Sequence, residues 1–374
     1  MLAISKLTIA GYKSIRELRE FELRNLNVLI GANGSGKSNF IGFFRMLAEM
    51  SQQRFQLYVA KQGGPDALLH YGRKRTSHME GALNFAGHAG SYFFKLDPTS
   101  DNRLIFDEES VGYGESTSLR NRASEESWLA NPDELLNRWR SAGLAIDPAA
   151  HEYLIDQLPP IDRLRVYHFH DTSESAKVKQ VHPTNDNLRL KSDASNLAPF
   201  LRMLREQHKG HYRMIVDSIQ LIAPFFEDFV YREDCPETVE LEWLEKGNPD
   251  TPFKAHVLSD GTLRFICLAT LLQQPVALMP PVILLDEPEL GLHPFAINIL
   301  ADLLELAAEQ TQLIVATQSV ELLSALQPED VIVVDRIDHA SRFRRLSEAE
   351  LGSWLDSYSL GELWEMNVLG GRPA

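Results

Sequence analysis

The sequence predicts an α/β fold: a parallel sheet with crossover helices, built around a phosphate-binding loop. Three observations predict it. An apolar run over residues 26–30 leads into Gly31-Ala-Asn33-Gly34-Ser35-Gly36-Lys37-Ser38, the pattern G-x-x-x-x-G-K-S, and then into Phe40, Phe43, Phe44 and Leu47 at helical spacing. A second apolar run, Val282-Ile-Leu-Leu285, ends in two acids, Asp286 and Glu287. Beyond it, residues 294–309, 312–316, 320–326 and 331–334 read in turn as helix, strand, helix and strand. That rhythm is how parallel strands are joined by crossover helices.

Each residue type in the loop has a physical task. Glycines let the backbone take φ > 0 and bring its N–H groups close to phosphate oxygens. The following helix points its positive end at the same anion. Lys37 would reach the β/γ-phosphates of a nucleotide, and the Ser38 hydroxyl would ligate Mg²⁺. Asn33, Gly34, Ser35, Gly36, Lys37, Ser38 and Asn39 are therefore the candidate nucleotide-binding residues. A glycine-rich turn with a chance Gly-Lys-Ser is the plain alternative; the strand before and the helix after argue against it.

The bulk numbers fit this. A chain of 374 residues can bury a large core, as one large or two moderate lobes. The N-terminal residues do not read as a signal peptide: Leu2, Ile4, Leu7 and Ile9 look like strand positions. No stretch approaches the length needed to cross a bilayer. The two cysteines, Cys235 and Cys267, match no metal-ligand spacing and read as buried residues of a protein from a reducing cytoplasm. The net charge of −15 argues against a surface that binds nucleic acid throughout. The charge is uneven, however: residues 1–105 hold 14 Lys and Arg against 8 Asp and Glu, and the remainder 23 against 44. Arg73-Lys74-Arg75 is the densest basic run and reads either as a solvated turn or as a phosphate-backbone contact.

In chain order, residues 2–30 read as two or three strands, broken at Gly11-Tyr-Lys13-Ser14. A helix follows the loop to about Met50. Residues 79–85, 91–96 and 103–106 read as strands and complete a first lobe. Residues 108–115 carry turn residues and acid. Residues 125–142 and 148–158 read as amphipathic helices, too short in pattern for a coiled coil. Residues 163–169 read as a strand and 171–193 as a surface loop. Two helices, 197–208 and 212–223, precede strands at 238–245 and 253–257 with a turn at Gly247-Asn-Pro-Asp250. A helix then opens at Leu258-Ser259-Asp260-Gly261-Thr262 and runs to about Gln274.

The acids at the end of the 282–286 strand suit a second half of a nucleotide site. Asp286 would hold the Mg²⁺ shell and Glu287 would polarise the attacking water. Ser259 and Gly261, at a helix start, make a second anion site. One nucleotide already has its own loop, so this site suggests a head-to-tail dimer in which it closes on the γ-phosphate bound by the other copy. A simple helix N-cap at Ser259 or Asp260 is the alternative.

The set of motifs at 31–38, 258–262 (L-S-x-G-x), Leu285-Asp-Glu-Pro-Glu289 and Gly291-Leu-His-Pro294 resembles the RecF/SMC-like ABC-type ATPases. The closest resemblance is to stand-alone ATPases related to the ATPase part of OLD proteins, and it includes Tyr167-His-Phe-His-Asp-Thr172 and the tail at 358–373. The resemblance implies a P-loop NTPase fold, an ABC-type head of two lobes (residues 1–106 and 197–374) with a short helical insertion at 107–196 in place of a coiled coil. It implies ATP and Mg²⁺, hydrolysis to ADP and phosphate, and a homodimer with ATP at its interface. Lys13 and Ser14 fall where relatives contact nucleotide, though Lys13 also reads as a solvated turn lysine. Residues 289–294 match the D-loop, and Ala316-Thr-Gln318-Ser319 the switch. Relatives carry His at the switch, whereas Gln318 cannot become cationic. No Q-loop glutamine is assigned; Gln52, Gln53 and Gln62 lie near the region. Only about 40 residues follow Val334, too few for a TOPRIM nuclease domain. His168, His170 and His293 read as core or hinge residues rather than metal ligands. The implied role is a switch in DNA metabolism, repair or phage defence, with DNA as partner; the alternative is a regulator of a separate nuclease or toxin.

Overall fold

Leu26–Ile30 forms β3, and all five of its residues are buried. A strand hidden on both faces needs a layer on each side, which is the setting of a parallel sheet. The computed structural model describes residues 3–86, 90–113, 117–121, 124–127, 164–232 and 236–371. In it β3 sits inside a six-stranded sheet with β8 (Arg165–Tyr167), β14 (Val282–Asp286), β15 (Gln312–Ala316), β16 (Val331–Ile337) and β17 (Ala340–Arg345), ordered β17-β16-β3-β15-β14-β8. All neighbours run parallel except the edge hairpin β16–β17.

Alternate residues of these strands feed two separate cores. Leu29, Leu284, Ile314 and Ile332 face one side and pack with α1 (Lys37–Ser51) through Phe40, Phe43, Phe44 and Leu47. Val28, Ile30, Leu285 and Val315 face the other. There they meet α4 (Leu197–Gln207), α5 (Lys209–Ile222), α6 (Asp260–Gln273), α7 (Pro294–Ala308), α8 (Val320–Ser324) and α9 (Leu360–Glu365). The period-2 alternation of a strand thus assigns α1 and α6 to opposite faces of the sheet.

A second, antiparallel sheet covers α1 from outside. It contains β1 (Ile4–Tyr12), β2 (Ile15–Glu22), β4 (Met79–Phe85), β5 (Ser91–Pro98), β6 (Leu104–Tyr113) and β7 (Thr117–Asn121), ordered β2-β1-β4-β5-β6-β7. Ile9, Tyr12, Tyr92 and Phe94 from this sheet share the core of α1. Two short helices, α2 (Phe55–Lys61) and α3 (Pro65–Leu68), link α1 to it.

Four local expectations are corrected. Residues 108–113 are not turn but the second half of β6, so the first sheet runs past residue 107, through 121. Their acids hid the strand: Glu109 is fully buried and accepts hydrogen bonds from Tyr92 Oη at 2.8 Å and from Ser127 Oγ. Residues 125–127, expected to begin a helix, form a bend, and the Glu126 carboxylate accepts from the backbone of Phe55 and Gln56 at 3.3 Å each. The rest of that expected helix, the one at 148–158 and Cys235 lie outside the described residues. Residues 171–193 are more than a surface loop: β9 (His182–Pro183) pairs with β11 (Thr238–Val239), and Ala176, Val178 and Leu190 enter the core. The expected strand at 253–257 begins earlier, as β13 (Asn248–Lys254) in a sheet with β10 (Phe226–Val230) and β12 (Glu242–Glu245), and 255–257 is a 3₁₀ turn. Among the described residues no helix is long and apolar enough to cross a membrane.

Candidate nucleotide site

Four parallel strands end at one edge of the central sheet. β3 ends into Gly31, β15 into Thr317 and Gln318, β14 into Asp286 and Glu287, and β8 into His168. The register sets Ala316 beside both Leu29 and Asp286, and Leu285 beside Tyr167. The carboxyl edge of an open parallel sheet is where such folds bind ligands.

The loop from Gly31 to Gly36 is shaped for an anion. Gly31, Gly34 and Gly36 have φ of 154°, 78° and 124°. At Gly36 a Cβ would stand 2.0 Å from Ser341 Oγ, so no side chain fits there. The N-terminus of α1 has no side-chain cap and no acid in its first turn, which leaves its N–H groups and dipole for a ligand. Lys37 is 5% exposed, and its ammonium donates to the carbonyls of Gly31 and Ala32. Burial lowers its pKa from the ordinary lysine value, while Glu287, Asp286 and Glu289 oppose the shift. Ser38 is exposed at the helix start, and Asn33 and Gly34 are exposed in the loop.

Asn39 Nδ2 donates to Ser14 Oγ at 2.7 Å, and Ser341 Oγ donates to the Ser35 carbonyl at 2.5 Å and accepts from Ser14 Oγ at 2.7 Å. Ser14 therefore belongs to the back of the loop. Ser341, from the β16–β17 hairpin, is a member the sequence did not reveal. Lys13 sits beside it at φ 46°, donating through Nζ to Gln62 Oε1 at 3.1 Å. Burial, then the nearby Arg45 guanidinium, lowers its pKa. Gln62 is thus a partner of Lys13. Arg73 is taken up by Asp66, Thr99 and Asn102, which makes it a structural staple.

The acidic end is strained and interlinked. Glu287 has φ 48°, a left-handed backbone at a non-glycine residue, of the kind that costs on the order of 1–3 kcal/mol and clusters at functional sites. Its N–H donates to the Ala316 carbonyl at 2.8 Å. Gln318 Nε2 donates to Glu287 Oε1. Glu289 Oε1 accepts from Thr317 Oγ1 at 2.5 Å and from the Gln318 N–H at 3.2 Å, while Oε2 is buried without a partner. Burial, then Glu287, raises the Asp286 carboxyl, against His170, Arg45 and Lys37. A carboxylate held above its ordinary pKa beside a second acid is a place that favours a cation. The donors fit a Mg²⁺·nucleotide: an uncapped helix start for phosphates, and a hydroxyl and a carboxylate for the metal.

His168 lies beside Arg45 on α1, whose guanidinium donates to Nε2. Burial first, then Arg45 and His170, lowers its pKa to about 4. His293 is no core residue: it caps α7, its Nδ1 accepting from Phe295 N at 3.2 Å. Among the described residues no group of three His, Cys, Asp or Glu is placed to hold a metal ion. Cys267 is buried in α6, and burial pushes its thiol up to about 12.

Ser259 and Gly261 are not brought to the loop of their own chain. Ser259 caps α6 by accepting from Thr262 N at 3.1 Å, and Asp260 occupies the first turn. α6 packs on the sheet face opposite α1, and Gly261 stands against the backbone of Gly291 in the turn after Glu287.

A search of curated proteins returned no match. Among solved structures, a head of SMC "bound to the C-winged helix domain of ScpA" superposes with a TM-score of 0.60 at 17% identity, over 94% of this chain and 99% of that one. The SMC head with an extended coiled coil from Pyrococcus furiosus gives 0.59 at 17%, over 95% and 99%. The head with coiled coil and joint from Pyrococcus yayanosii gives 0.53 at 14%, over 95% and 99%. At such identities the likeness establishes the fold, an SMC-type head. A family model described as "AAA domain, putative AbiEii toxin, Type IV TA system" matches residues 26–324, from β3 through the phosphate loop and the acidic strand to the switch. The chain belongs to that family of ABC-type ATPase domains.

Proposed function

We propose that the protein is an ATP-dependent dimerising ATPase that works as a conformational switch in DNA metabolism, repair or defence against phage. The observation that carries the reading is the placement of α1, with its uncapped start, and α6, which opens at Ser259 and Gly261, on opposite faces of one sheet. A site that needs both requires a second copy. Backbone N–H groups of 33–39 and Lys37 bind the phosphates, with Ser14 and Asn39 bracing the loop and Lys13 beside it. Ser38 and Asp286 hold Mg²⁺, which when bound neutralises phosphate charge. Glu287 orients an attacking water and takes its proton, Gln318 holds Glu287, and Lys37 spreads the developing charge, giving ADP and phosphate. Ser259 and Gly261 of one copy close on the nucleotide of the other.

The second reading is a regulatory ATPase controlling a separate effector such as a nuclease or toxin, without direct DNA binding. The toxin–antitoxin wording of the family description and the net charge of −15 support it. The resemblance to OLD-related ATPases belongs to the same reading, and the SMC heads described as bound to ScpA domains are cases of a head carrying a protein partner. Mass in solution of Glu287→Gln with Mg²⁺·ATP tests the dimer: a trapped dimer supports it, a monomer sinks it. ATPase rate with and without DNA across salt separates the readings. DNA stimulation supports the first; a DNA-independent rate with a co-purifying effector supports the second.

A further inference from the structure

We propose that Arg264 is a positioning residue: from the first turns of α6 it fastens the turn after Glu287 and the end of β8 to that helix, so that Ser259 and Gly261 are presented in step with the acidic strand end. The assignment rests on the dimer reading above.

Arg264 Nη1 donates to the Leu290 carbonyl at 2.6 Å and Nη2 donates to the His170 carbonyl at 3.0 Å. Leu290 follows Glu287 by one turn, and His170 follows β8, the strand beside β14. One guanidinium therefore joins three segments, two of them 94 positions apart in sequence. Both acceptors are backbone carbonyls, so the contact fixes chain paths. The planar guanidinium holds its donors in a fixed fork; a lysine ammonium is a flexible point charge and cannot hold both acceptors in the same geometry.

The turn leaves no room for a side chain beside it. Gly291 has φ 77°, and a Cβ there would stand 2.6 Å from Arg264 Nη1. A Cβ at Gly261 would stand 2.5 Å from the Gly291 carbonyl oxygen. The start of α6 and the 287–291 turn thus touch backbone to backbone and move together. Arg264, Leu268, His170, Asp286 and Glu287 line one small cleft. Arg264 Nε is buried with no hydrogen-bond partner. A desolvated donor costs stability, which marks the residue as held for its placement.

The test uses the full chain with Arg264→Lys and Arg264→Ala, alone and with Glu287→Gln. The expected result is Mg²⁺·ATP affinity within about threefold of the parent, because Arg264 bonds the Leu290 and His170 carbonyls and no residue of the phosphate loop, with kcat lower by about tenfold or more. Glu287→Gln/Arg264→Lys should fail to form the ATP-dependent dimer that Glu287→Gln forms. Parent-like kcat, parent-like dimerisation of the double variant, or equal loss of affinity and kcat overturns the assignment. Should Arg264→Ala not fold, Arg264→Lys carries the comparison. A monomeric Glu287→Gln sinks the dimer reading instead, and the split between kcat and affinity still decides Arg264.

Discussion

Gln318 Nε2 donates to Glu287 Oε1, so the second residue after β15 holds the acid that follows β14. An amide can fix a carboxylate without ever charging. Gln318→Ala should therefore keep Mg²⁺·ATP affinity and lower kcat roughly 10- to 100-fold. Gln318→His should give the rate a pH step near the imidazole value of about 6.5. Steady-state rates from acid to alkaline pH check both, and an unchanged rate in Gln318→Ala removes Gln318 from the site.

Ser341 braces the loop by donating to the Ser35 carbonyl and accepting from the Ser14 hydroxyl. A neutral hydrogen bond is worth about 1 kcal/mol net, or about fivefold in affinity. Ser341→Ala should weaken ATP binding by about that factor, whereas Lys37→Ala should lose binding altogether. Titration calorimetry with ATP separates a brace from a ligand.

Glu289 is a buried carboxyl whose pKa burial raises, against hydrogen bonds from Thr317 and Gln318 that lower it. Between its ordinary pKa and the raised one, the folded state binds more protons than the unfolded state. Stability therefore falls as pH rises through that window. Glu289→Gln cannot titrate, so its melting temperature should gain on the parent's as pH increases from about 4.5. Melting curves across that range check it; a constant gap contradicts it.

His168 has the opposite sign. Its pKa is lowered to about 4, so between there and about 6.5 the unfolded state binds more protons. Stability rises with pH over that window. His168→Asn should flatten the acid limb of the melting profile while leaving stability near pH 8 little changed.

Asp260 places a carboxylate in the first turn of α6. It suits the helix dipole by about 0.3–1 kcal/mol but opposes an incoming phosphate. Asp260→Asn should lower the melting temperature slightly and tighten the ATP-bound dimer in the Glu287→Gln background. Sedimentation across ATP concentrations reads the second effect.

The parts legible in the sequence are those whose cause is local. Gly31 to Ser38 is contiguous, and Leu26–Ile30 and Val282–Asp286 are mostly apolar because both faces are covered. The misread parts had local signals that pointed elsewhere. Residues 108–113 looked like an acidic turn because nothing nearby shows that Tyr92 and Ser127 satisfy Glu109. His293, read as a core or hinge residue, caps a helix instead of entering the core, because capping depends on a hydrogen bond, not on composition.

By itself the sequence determined an α/β head with one phosphate loop and an acidic strand end, since eight or so adjacent residues carry each motif and hydrophobic periodicity carries the sheet. Only the tertiary structure decided what stands behind and between them: Ser341 on Ser14, Arg45 on His168, Gln318 on Glu287 and Arg264 on Leu290 and His170. Those pairs are separated by between 26 and 327 positions. A hydrogen bond acts over about 3 Å, so such partners exist only once packing has brought their strands and helices together.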